Sequence, residues 1–226
     1  MTRRAILFDL DGTLIDSIEL LLRCMEHAFA ERSARPTRAE WTAGIGTPLR
    51  TQLAPWCANE ADIDGLVQRY REYQDVHLEA RTTLYPGVAD TLAWVRAAGH
   101  ATGIVTSKGR IMTARSLRHV GLEGTFDTLV TYEETERAKP HPDPVWLALE
   151  RLGIPASHAI LIGDSPHDMA AGRAAGVQTA AALWGPFTRE QLAPTKPSHW
   201  MERMEALPSI LTAHASPSPL TVPAQS

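Results

Sequence analysis

Two carboxylates near the amino terminus, those of Asp9 and Asp11, directly follow the apolar run of residues 5–8. Side chains alternate along a strand, so both carboxylates can face the same way if the extended geometry continues. Gly12 permits a sharp exit into a loop, because a residue without Cβ adopts left-handed conformations readily. Asp and Gly are also ordinary turn residues. Two like charges this close are nevertheless costly unless a cation or a shared proton relieves them, so the spacing indicates a site for chemistry or for a metal ion.

Polar residues that suit phosphate chemistry follow later apolar runs. Thr106 and Ser107 come after a run that ends at residue 105, where hydroxyl groups and free backbone amides suit phosphate oxygens. Thr and Ser also commonly cap the next helix, which is the simpler interpretation of these two residues taken alone. Lys139 lies in a proline-rich loop that would hold its ammonium group as a fixed positive charge. The alternative for Lys139 is an exposed, solvated lysine.

A second pair of carboxylates, Asp164 and Asp168, follows the apolar run of residues 160–162. Pro166 favours the first turn of a helix and so places Asp168 near the positive end of that helix. Capping would explain only one of the two carboxylates, whereas a bound cation would explain both. His167, in the same turn, is interpreted as a surface residue. The pair is therefore expected to face one cation.

An alternation of helices and short apolar strands must position these residues. Predicted helices precede predicted strands in four successive units, with helices over 88–98, 110–119, 144–152 and 168–175 and strands over 101–105, 128–130, 159–162 and 177–181. This alternation is typical of parallel β-α-β units, and fully apolar strands indicate a sheet covered on both faces. The expected fold class is α/β, a doubly wound, Rossmann-like parallel sheet. Such sheets bind ligands beyond the carboxyl ends of their strands, so the polar segments should meet in one crevice.

The segment of residues 17–82 carries helical patterns and no strand pattern. A stripe of apolar residues at helical spacing begins behind Ser17, which would cap the helix, and a long helix is predicted over 60–79. We therefore predict a helical cap over 17–82, inserted into an α/β core made of residues 1–16 and 83–212.

The composition is typical of a soluble globular protein. The 226 residues are 44% hydrophobic and 21% charged, with a net charge of −4 and no basic run, which argues against nucleic acid or an anionic membrane as partner. No apolar stretch approaches the ~20 residues that span a bilayer, and we predict a cytoplasmic monomer or homodimer. Cys24 and Cys57 lack metal-ligand spacing and are interpreted as apolar filler. Residues 213–226, with three prolines and no charged residue, are interpreted as a flexible tail.

The polar segments, in this order, resemble the four motifs of the haloacid dehalogenase-like superfamily. The motifs correspond, in turn, to residues 9–17, Thr106, Lys139, and Asp164 with Asp168. The resemblance covers nearly all of residues 4–210. The helical insert lies where family members with a helical cap carry theirs.

The resemblance implies a phosphohydrolase that works through an aspartyl-phosphate. Asp9 would be the nucleophile, and Asp11 would protonate the leaving group and later activate water. Lys139 would offset negative charge on Asp9 and on the phosphoryl group, to which Thr106 and Ser107 would bind. The implied cofactor is Mg²⁺. Its ligands would be Asp9, the backbone carbonyl of Asp11, Asp164 and, from nearby or through water, Asp168.

The expected substrate is a small phosphorylated metabolite. Residues 103–108, 139–142 and 163–172 look like phosphoglycolate phosphatases and equally like the related pyrophosphatases, so an inorganic pyrophosphatase is the alternative. A sugar phosphomutase or a non-catalytic phosphate or metal sensor fits less well, because a pure binder has no use for the acid–base carboxylate of Asp11. Asp11 also argues against a dehalogenase, since a halide leaves without a proton. Arg50 would pair with a second anionic group of the substrate, or would simply be solvated.

Overall fold

Six parallel strands form one sheet in the computed structural model, which describes residues 2–213. The strands, in chain order, are β1 (Ala5–Phe8), β2 (Ile15–Asp16), β3 (Thr83–Leu84), β4 (Ala101–Val105), β5 (Thr128–Val130), β6 (Ala159–Gly163), β7 (Gln178–Ala182) and β8 (His199–Met201). β2 and β3 pair with each other, antiparallel, outside the main sheet. The predicted tail lies outside the described residues, apart from residue 213.

Helices connect these strands, and four of them lie between β2 and β3. The described α-helices are α1 (Ile18–Ala28), α2 (Arg38–Gly44), α3 (Leu49–Leu53), α4 (Glu60–His77), α5 (Val88–Ala97), α6 (Arg110–His119), α7 (Asp143–Leu152), α8 (Pro166–Ala175), α9 (Arg189–Leu192) and α10 (Leu207–Ala213). Helices α1 to α4 pack around an apolar cluster of their own, which includes Phe29, Trp41 and Leu66. No residue of 17–82 is in a strand, and we keep this segment, called the helical insert below, as the proposed cap.

The order of strands in the main sheet is β5-β4-β1-β6-β7-β8. Each neighbouring pair is parallel. The chain runs from β1 towards β4 and β5 on one side and returns to β6, β7 and β8 on the other. The winding therefore reverses beside β1, and a crevice at such a reversal is where open α/β sheets bind ligands. Asp9, the first residue beyond β1, stands at this point.

Helices cover both faces of the sheet, which explains why its strands are apolar throughout. Ile6 and Phe8 of β1 pack into one buried cluster, together with residues of α5 and α10. Ala5 and Leu7 point to the opposite face and pack into a second cluster with residues of α7 and α8. All four residues of β1 are buried. The predicted doubly wound α/β fold is therefore confirmed.

Most predicted elements agree with the structure to within two residues. The strands predicted over 101–105 and 128–130 and the helix predicted over 110–119 have the observed bounds. The sequence patterns do not predict β2, β3 or β8, because these strands have only two or three residues. Strands that short do not display a period of two.

None of the described helices is both long and apolar enough to cross a membrane. Cys24 is buried and Cys57 is partly buried, and both are free thiols. The interpretation of the two cysteines as apolar filler agrees with this placement.

Candidate active site

Asp9 is held at the end of β1 by the neighbouring strand. Its backbone amide donates to the carbonyl oxygen of Ile162 in β6 (2.9 Å), and its side chain is buried. Gly12 then turns the chain with a φ of +87°, and a Cβ on this residue would lie 2.6 Å from a carboxylate oxygen of Asp164. The predicted sharp exit at Gly12 is therefore confirmed, and it brings the loop after β1 against the end of β6.

Lys139 is the buried cation of the site. Its Nζ donates to Asp9 Oδ1 (2.8 Å), Asp168 Oδ1 (2.6 Å) and the carbonyl oxygen of Val105 (3.0 Å). Only 2% of the residue is exposed, which rules out the interpretation of a solvated lysine. Burial alone would lower the pKa of Lys139, but the carboxylates of Asp168 and Asp9 outweigh burial and raise it. The ammonium group therefore stays charged.

Asp164 and Asp168 lie at the end of β6 and in the first turn of α8, as predicted. Thr13 donates through Oγ1 to Asp164 Oδ1 (2.6 Å). Asp168 forms a capping box with Ser165, whose backbone amide and hydroxyl both donate to Asp168 Oδ2 (3.1 and 2.6 Å). Because Asp168 Oδ1 accepts from Lys139, both oxygens of Asp168 are occupied. Asp168, itself fixed by the capping box, therefore holds the ammonium group of Lys139 in place.

The carboxylates of Asp9, Asp164 and Asp168 each offer an oxygen within 4.8 Å of the others. Asp164 Oδ2 is buried and accepts no hydrogen bond from any described residue. A buried carboxylate oxygen without a partner is costly, and a cation would satisfy it. Oxygen donors of this kind are the ligands that Mg²⁺ prefers in proteins. The residues present therefore fit a magnesium ion held chiefly by Asp9 and Asp164.

The pKa values agree with an excess of negative charge in this buried cluster. Burial, opposed by Lys139 and reinforced by Asp168, raises the pKa of Asp9 to about 7. Burial and the charges of Asp168 and Asp9 also raise the pKa of Asp164 well above its usual range. One ammonium group does not balance three carboxylates, so a further cation would favour their ionised forms.

Asp11 is directed away from this cluster. Its Oδ1 accepts from Ser17 Oγ (2.5 Å) and from Lys108 Nζ (2.7 Å). Ser17 stands at the N-cap position of α1, as predicted, but its side chain makes no capping hydrogen bond and its hydroxyl is directed at Asp11 instead. The carboxylate of Asp11 is not in the acidic cluster. Asp9 and Asp11 thus have separate partners, which suits separate chemical roles.

One cavity of about 350 Å³ lies between the sheet and the helical insert. Five of the predicted site residues line it, namely Asp9, Asp11, Arg50, Thr106 and Ser107. Lys139 contacts Asp9 behind this surface, with Asp164 and Asp168 in the same cluster. The structure therefore brings the polar segments into one crevice, as the strand ends predict.

Thr106 and Ser107 take different partners at the end of β4. Thr106 Oγ1 accepts from the backbone amide of Lys108 (3.1 Å), which leaves its hydroxyl hydrogen available to a ligand. Ser107 Oγ donates to the carbonyl oxygen of Gly46 in the helical insert (2.6 Å). Ser107 therefore connects the sheet to the insert.

The match with known proteins agrees with this geometry. Residues 6–182 match the family of haloacid dehalogenase-like hydrolases, so the match spans the acidic cluster, Lys139 and the helical insert. The chain belongs to this family. The predicted resemblance and the prediction of a hydrolytic enzyme are thereby confirmed.

Two bacterial pyrophosphatases are among the proteins similar in sequence to this chain. The chain is 36% identical to pyrophosphatase PpaX of Bacillus velezensis over 204 residues, covering 90% of this chain and 94% of that protein. It is 35% identical to pyrophosphatase PpaX of Bacillus pumilus over 214 residues, covering 94% and 98%. The crystal structure of a predicted phosphoglycolate phosphatase from Haemophilus somnus superposes with a TM-score of 0.84 at 23% identity, covering 93% and 99%. At that identity the superposition shows the shared fold.

The loop of the helical insert that contains Gly46 packs against Ser165 and His167, at the start of α8. Gly46 has a φ of +99°, and a Cβ there would lie 2.7 Å from Ser165 Oγ and 3.3 Å from His167 Cδ2. His167 is half-buried, with Nε2 covered, so it is less exposed than the predicted surface residue because the insert loop approaches its ring. The loop therefore closes over the turn that carries Asp168.

Arg50 lines the cavity but already has carboxylate partners. Its guanidinium group donates to Asp64 and to Glu60. Both partners belong to α4 of the helical insert. The role of Arg50 in substrate binding stays a prediction, and these ion pairs compete with it.

Sequence reasoning missed the contributions of Thr13 and Lys108. Thr13 belongs to the first motif, but its hydrogen bond to Asp164 crosses from β1 to β6 and leaves no local signal. Lys108 follows Ser107 at a strand end, and its side chain is 6% exposed where it pairs with Asp11. A lysine at a strand end could have indicated a role for Lys108 in the site, but the sequence does not show with which carboxylate it forms an ion pair.

Proposed function

We propose that this protein is an Mg²⁺-dependent phosphohydrolase of small phosphorylated metabolites that works through an aspartyl-phosphate on Asp9. The observation that supports it most directly is the buried cluster in which Lys139 bridges Asp9 and Asp168 while Asp164 Oδ2 has no partner. This arrangement places the carboxylate of Asp9 at the cavity, beside the ammonium group of Lys139 and a carboxylate oxygen, Asp164 Oδ2, that a cation would satisfy. Mg²⁺, when bound by Asp9 and Asp164, would supply the remaining neutralisation of phosphoryl charge.

In the first step, a carboxylate oxygen of Asp9 attacks the phosphorus atom of the substrate. A bond forms between that oxygen and phosphorus, and the bond between phosphorus and the leaving oxygen breaks. Asp11, which lines the same cavity, donates its proton to the leaving oxygen. Lys139 and Thr106 stabilise the charge that develops during transfer.

In the second step, water attacks the phosphorus atom of the aspartyl-phosphate. Asp11, now ionised, accepts a proton from this water. The bond between phosphorus and the Asp9 oxygen breaks, which releases inorganic phosphate and restores both carboxyl groups. One residue can serve both steps because the proton that it gives is replaced by the proton that it takes.

Pyrophosphate is the substrate that we favour. The relatives that share about a third of their residues with this chain are named pyrophosphatases. The structure named as a phosphoglycolate phosphatase is less similar in sequence. The cavity lies near the lower end of the ~300–1,000 Å³ that small-molecule sites occupy, which suits a compact substrate. Phosphoglycolate remains the second candidate.

The test is phosphate release from pyrophosphate, phosphoglycolate and p-nitrophenyl phosphate, with Mg²⁺ and with a chelator. We expect release only with Mg²⁺ and a fall of at least ~1,000-fold in kcat for Asp9→Asn. Asp16→Asn is the matched control, because Asp16 is an exposed carboxylate in β2 and should keep wild-type activity. Full activity in chelator, or activity that survives Asp9→Asn, would contradict the proposed function.

A further inference from the structure

One face of α4 forms the wall of the cavity that lies opposite the sheet. Besides Asp64, which accepts from Arg50, this helix lines the cavity with Val67, Tyr70, Arg71 and Gln74. Their spacing of three, four and seven residues places them on one side of the helix. Two of these side chains are apolar or aromatic, and the other two, Arg71 and Gln74, carry hydrogen-bond donors. The wall therefore offers donors at a point away from Asp9.

Arg71 differs from the other cations near it. Arg50, Arg69 and Lys108 each form an ion pair with a carboxylate. Arg71 is exposed at the cavity, and its guanidinium group makes no ion pair or hydrogen bond with any side chain in the part of the chain that the structure describes. A cation that lines an active-site cavity without a protein partner is available to an anionic ligand.

Gln74 gives an independent indication of the same kind. The residue is 5% exposed, and its carboxamide has no hydrogen-bond partner among residues 2–213. Neither polar atom of this carboxamide is among the buried unpaired atoms of the described residues, so the amide is open to the cavity that it lines. Gln74 lies one helical turn after Arg71 and lines the same cavity. The two side chains can therefore bind one group together.

We propose that Arg71 and Gln74 form a subsite for a second anionic group of the substrate, the one that is not transferred. This inference rests on the proposed function, because it assigns the transferred phosphoryl group to Asp9. A planar guanidinium group matches the oxygens of a phosphate or carboxylate, and a carboxamide adds a further donor. The substrate class is thus a small phosphate compound with a second oxyanion, such as pyrophosphate, rather than a monoester with a neutral leaving group.

Arg50 is the competing candidate for this role, since it also lines the cavity. Its guanidinium group donates to both Glu60 and Asp64, so two carboxylates already neutralise it. A substrate anion would have to displace at least one of them. Arg71 needs no such exchange, and the structure therefore favours Arg71.

The kinetic test compares Arg71→Gln and Gln74→Leu with wild type on pyrophosphate, phosphoglycolate and p-nitrophenyl phosphate. Loss of a charge-assisted contact should lower kcat/KM for pyrophosphate about 10- to 100-fold, mainly through KM. The value for p-nitrophenyl phosphate should change less than about twofold, and Arg71→Lys should restore part of the loss. A loss that also affects phosphoglycolate means that the subsite accepts a carboxylate as well as a phosphate.

Arg69→Gln and Gln68→Leu are matched controls on the same helix. Arg69 pairs with Glu31 and Gln68 with Glu72, and neither lines the cavity. Both controls should leave all three substrates unaffected. Equal losses on pyrophosphate and p-nitrophenyl phosphate in Arg71→Gln would overturn the inference, as would no loss on pyrophosphate.

A binding measurement separates this inference from the proposed function. Calorimetry with methylenediphosphonate, which cannot be hydrolysed, should show a Kd at least about tenfold higher for Arg71→Gln than for wild type. Methylphosphonate, which has one anionic group, should bind both proteins equally. If wild type hydrolyses no substrate, the proposed function fails while this comparison still decides the subsite. The same Kd for methylenediphosphonate in both proteins would overturn the subsite.

Discussion

At the scale of single residues, the site depends on how one buried ammonium group is shared. Lys139 donates to Asp9 and Asp168 at once, while Asp168 is fixed by its capping box with Ser165. Asp168 therefore orients the ammonium group of Lys139, and this group in turn holds the carboxylate of Asp9 at the cavity. Breaking a buried ion pair on one side leaves an uncompensated charge, so these residues depend strongly on one another.

The raised pKa of Asp9 predicts how stability depends on pH without metal. Its pKa rises from an ordinary value of 3.8 to about 7 on burial. Between these values the folded protein binds more protons than the unfolded chain, so the free energy of unfolding should fall as the pH rises through this window. The slope is up to about 1.4 kcal/mol per pH unit for one proton. Urea denaturation in chelator from about pH 5 to about pH 7 measures it.

Mg²⁺ should flatten or reverse this slope, because the ion binds the ionised carboxylates. Asp9→Asn removes one of the titrating groups and should reduce the slope in chelator. Asp16→Asn should leave the slope as in wild type, since Asp16 is exposed. A metal-free protein whose stability rises with pH over this range would contradict the assignment of a desolvated Asp9.

The sequence predicts the principal site residues because each follows an apolar strand. Asp9, Thr106 and Asp164 stand directly beyond β1, β4 and β6, and parallel strands end at one edge of the sheet. It does not predict which donors meet which carboxylates. The contact between Lys108 and Asp11 joins residues 97 positions apart, and the direction of a side chain across such a distance depends on tertiary packing.

At the scale of elements, the contact between the insert loop and the turn before α8 determines how the cavity is covered. Ser107 donates to the carbonyl oxygen of Gly46, and Gly46 packs on Ser165. The antiparallel pair β2 and β3 carries the chain into and out of the helical insert. The insert is thus joined to the core by two short strands, by this loop and by Arg115 of α6, which pairs with Asp75 and Glu79.

Gly46→Ala should disfavour this covered state. The positive φ of +99° costs a residue with Cβ about 1–2 kcal/mol, and the Cβ would also meet Ser165 Oγ at 2.7 Å. We expect kcat/KM to fall ~5- to 30-fold, with little change in the stability of the sheet. Steady-state kinetics and thermal denaturation measure the two effects.

Gly65→Ala is the control for this prediction. Gly65 lies within α4, and no atom lies within 4 Å of the position of its added Cβ. Alanine should stabilise the helix by ~0.5–1 kcal/mol and leave kcat/KM unchanged. Unchanged kcat/KM in Gly46→Ala would show that the loop contact does not contribute to turnover.

The elements themselves could be predicted where they are long and regular. The amphipathic pattern of residues 18–29 and the apolar strands of the sheet follow directly from periodicity. The contact of the Gly46 loop could not be predicted, because it depends on where two separately packed groups of helices meet. The partial burial of His167 could not be predicted for the same reason, since it is the insert loop that approaches its ring.

At the scale of the whole molecule, the cavity is a joint product of the sheet and the helical insert. The sheet contributes Asp9, Asp11 and Thr106, and α4 contributes Arg71 and Gln74. The sheet therefore carries the groups proposed for bond making and breaking, whereas the insert carries the groups proposed to select the substrate. This division would let the insert change specificity without altering the acidic cluster.

The proposed mechanism requires that Asp9 becomes phosphorylated during turnover. Asp11→Asn should slow hydrolysis of the intermediate more than its formation from p-nitrophenyl phosphate, whose leaving group needs little protonation. Acid quenching of this variant during turnover, followed by peptide mass spectrometry, should therefore find one phosphoryl group on Asp9, removable by hydroxylamine. Turnover with no phosphorylated peptide, or with the phosphoryl group on another residue, would contradict the proposed mechanism.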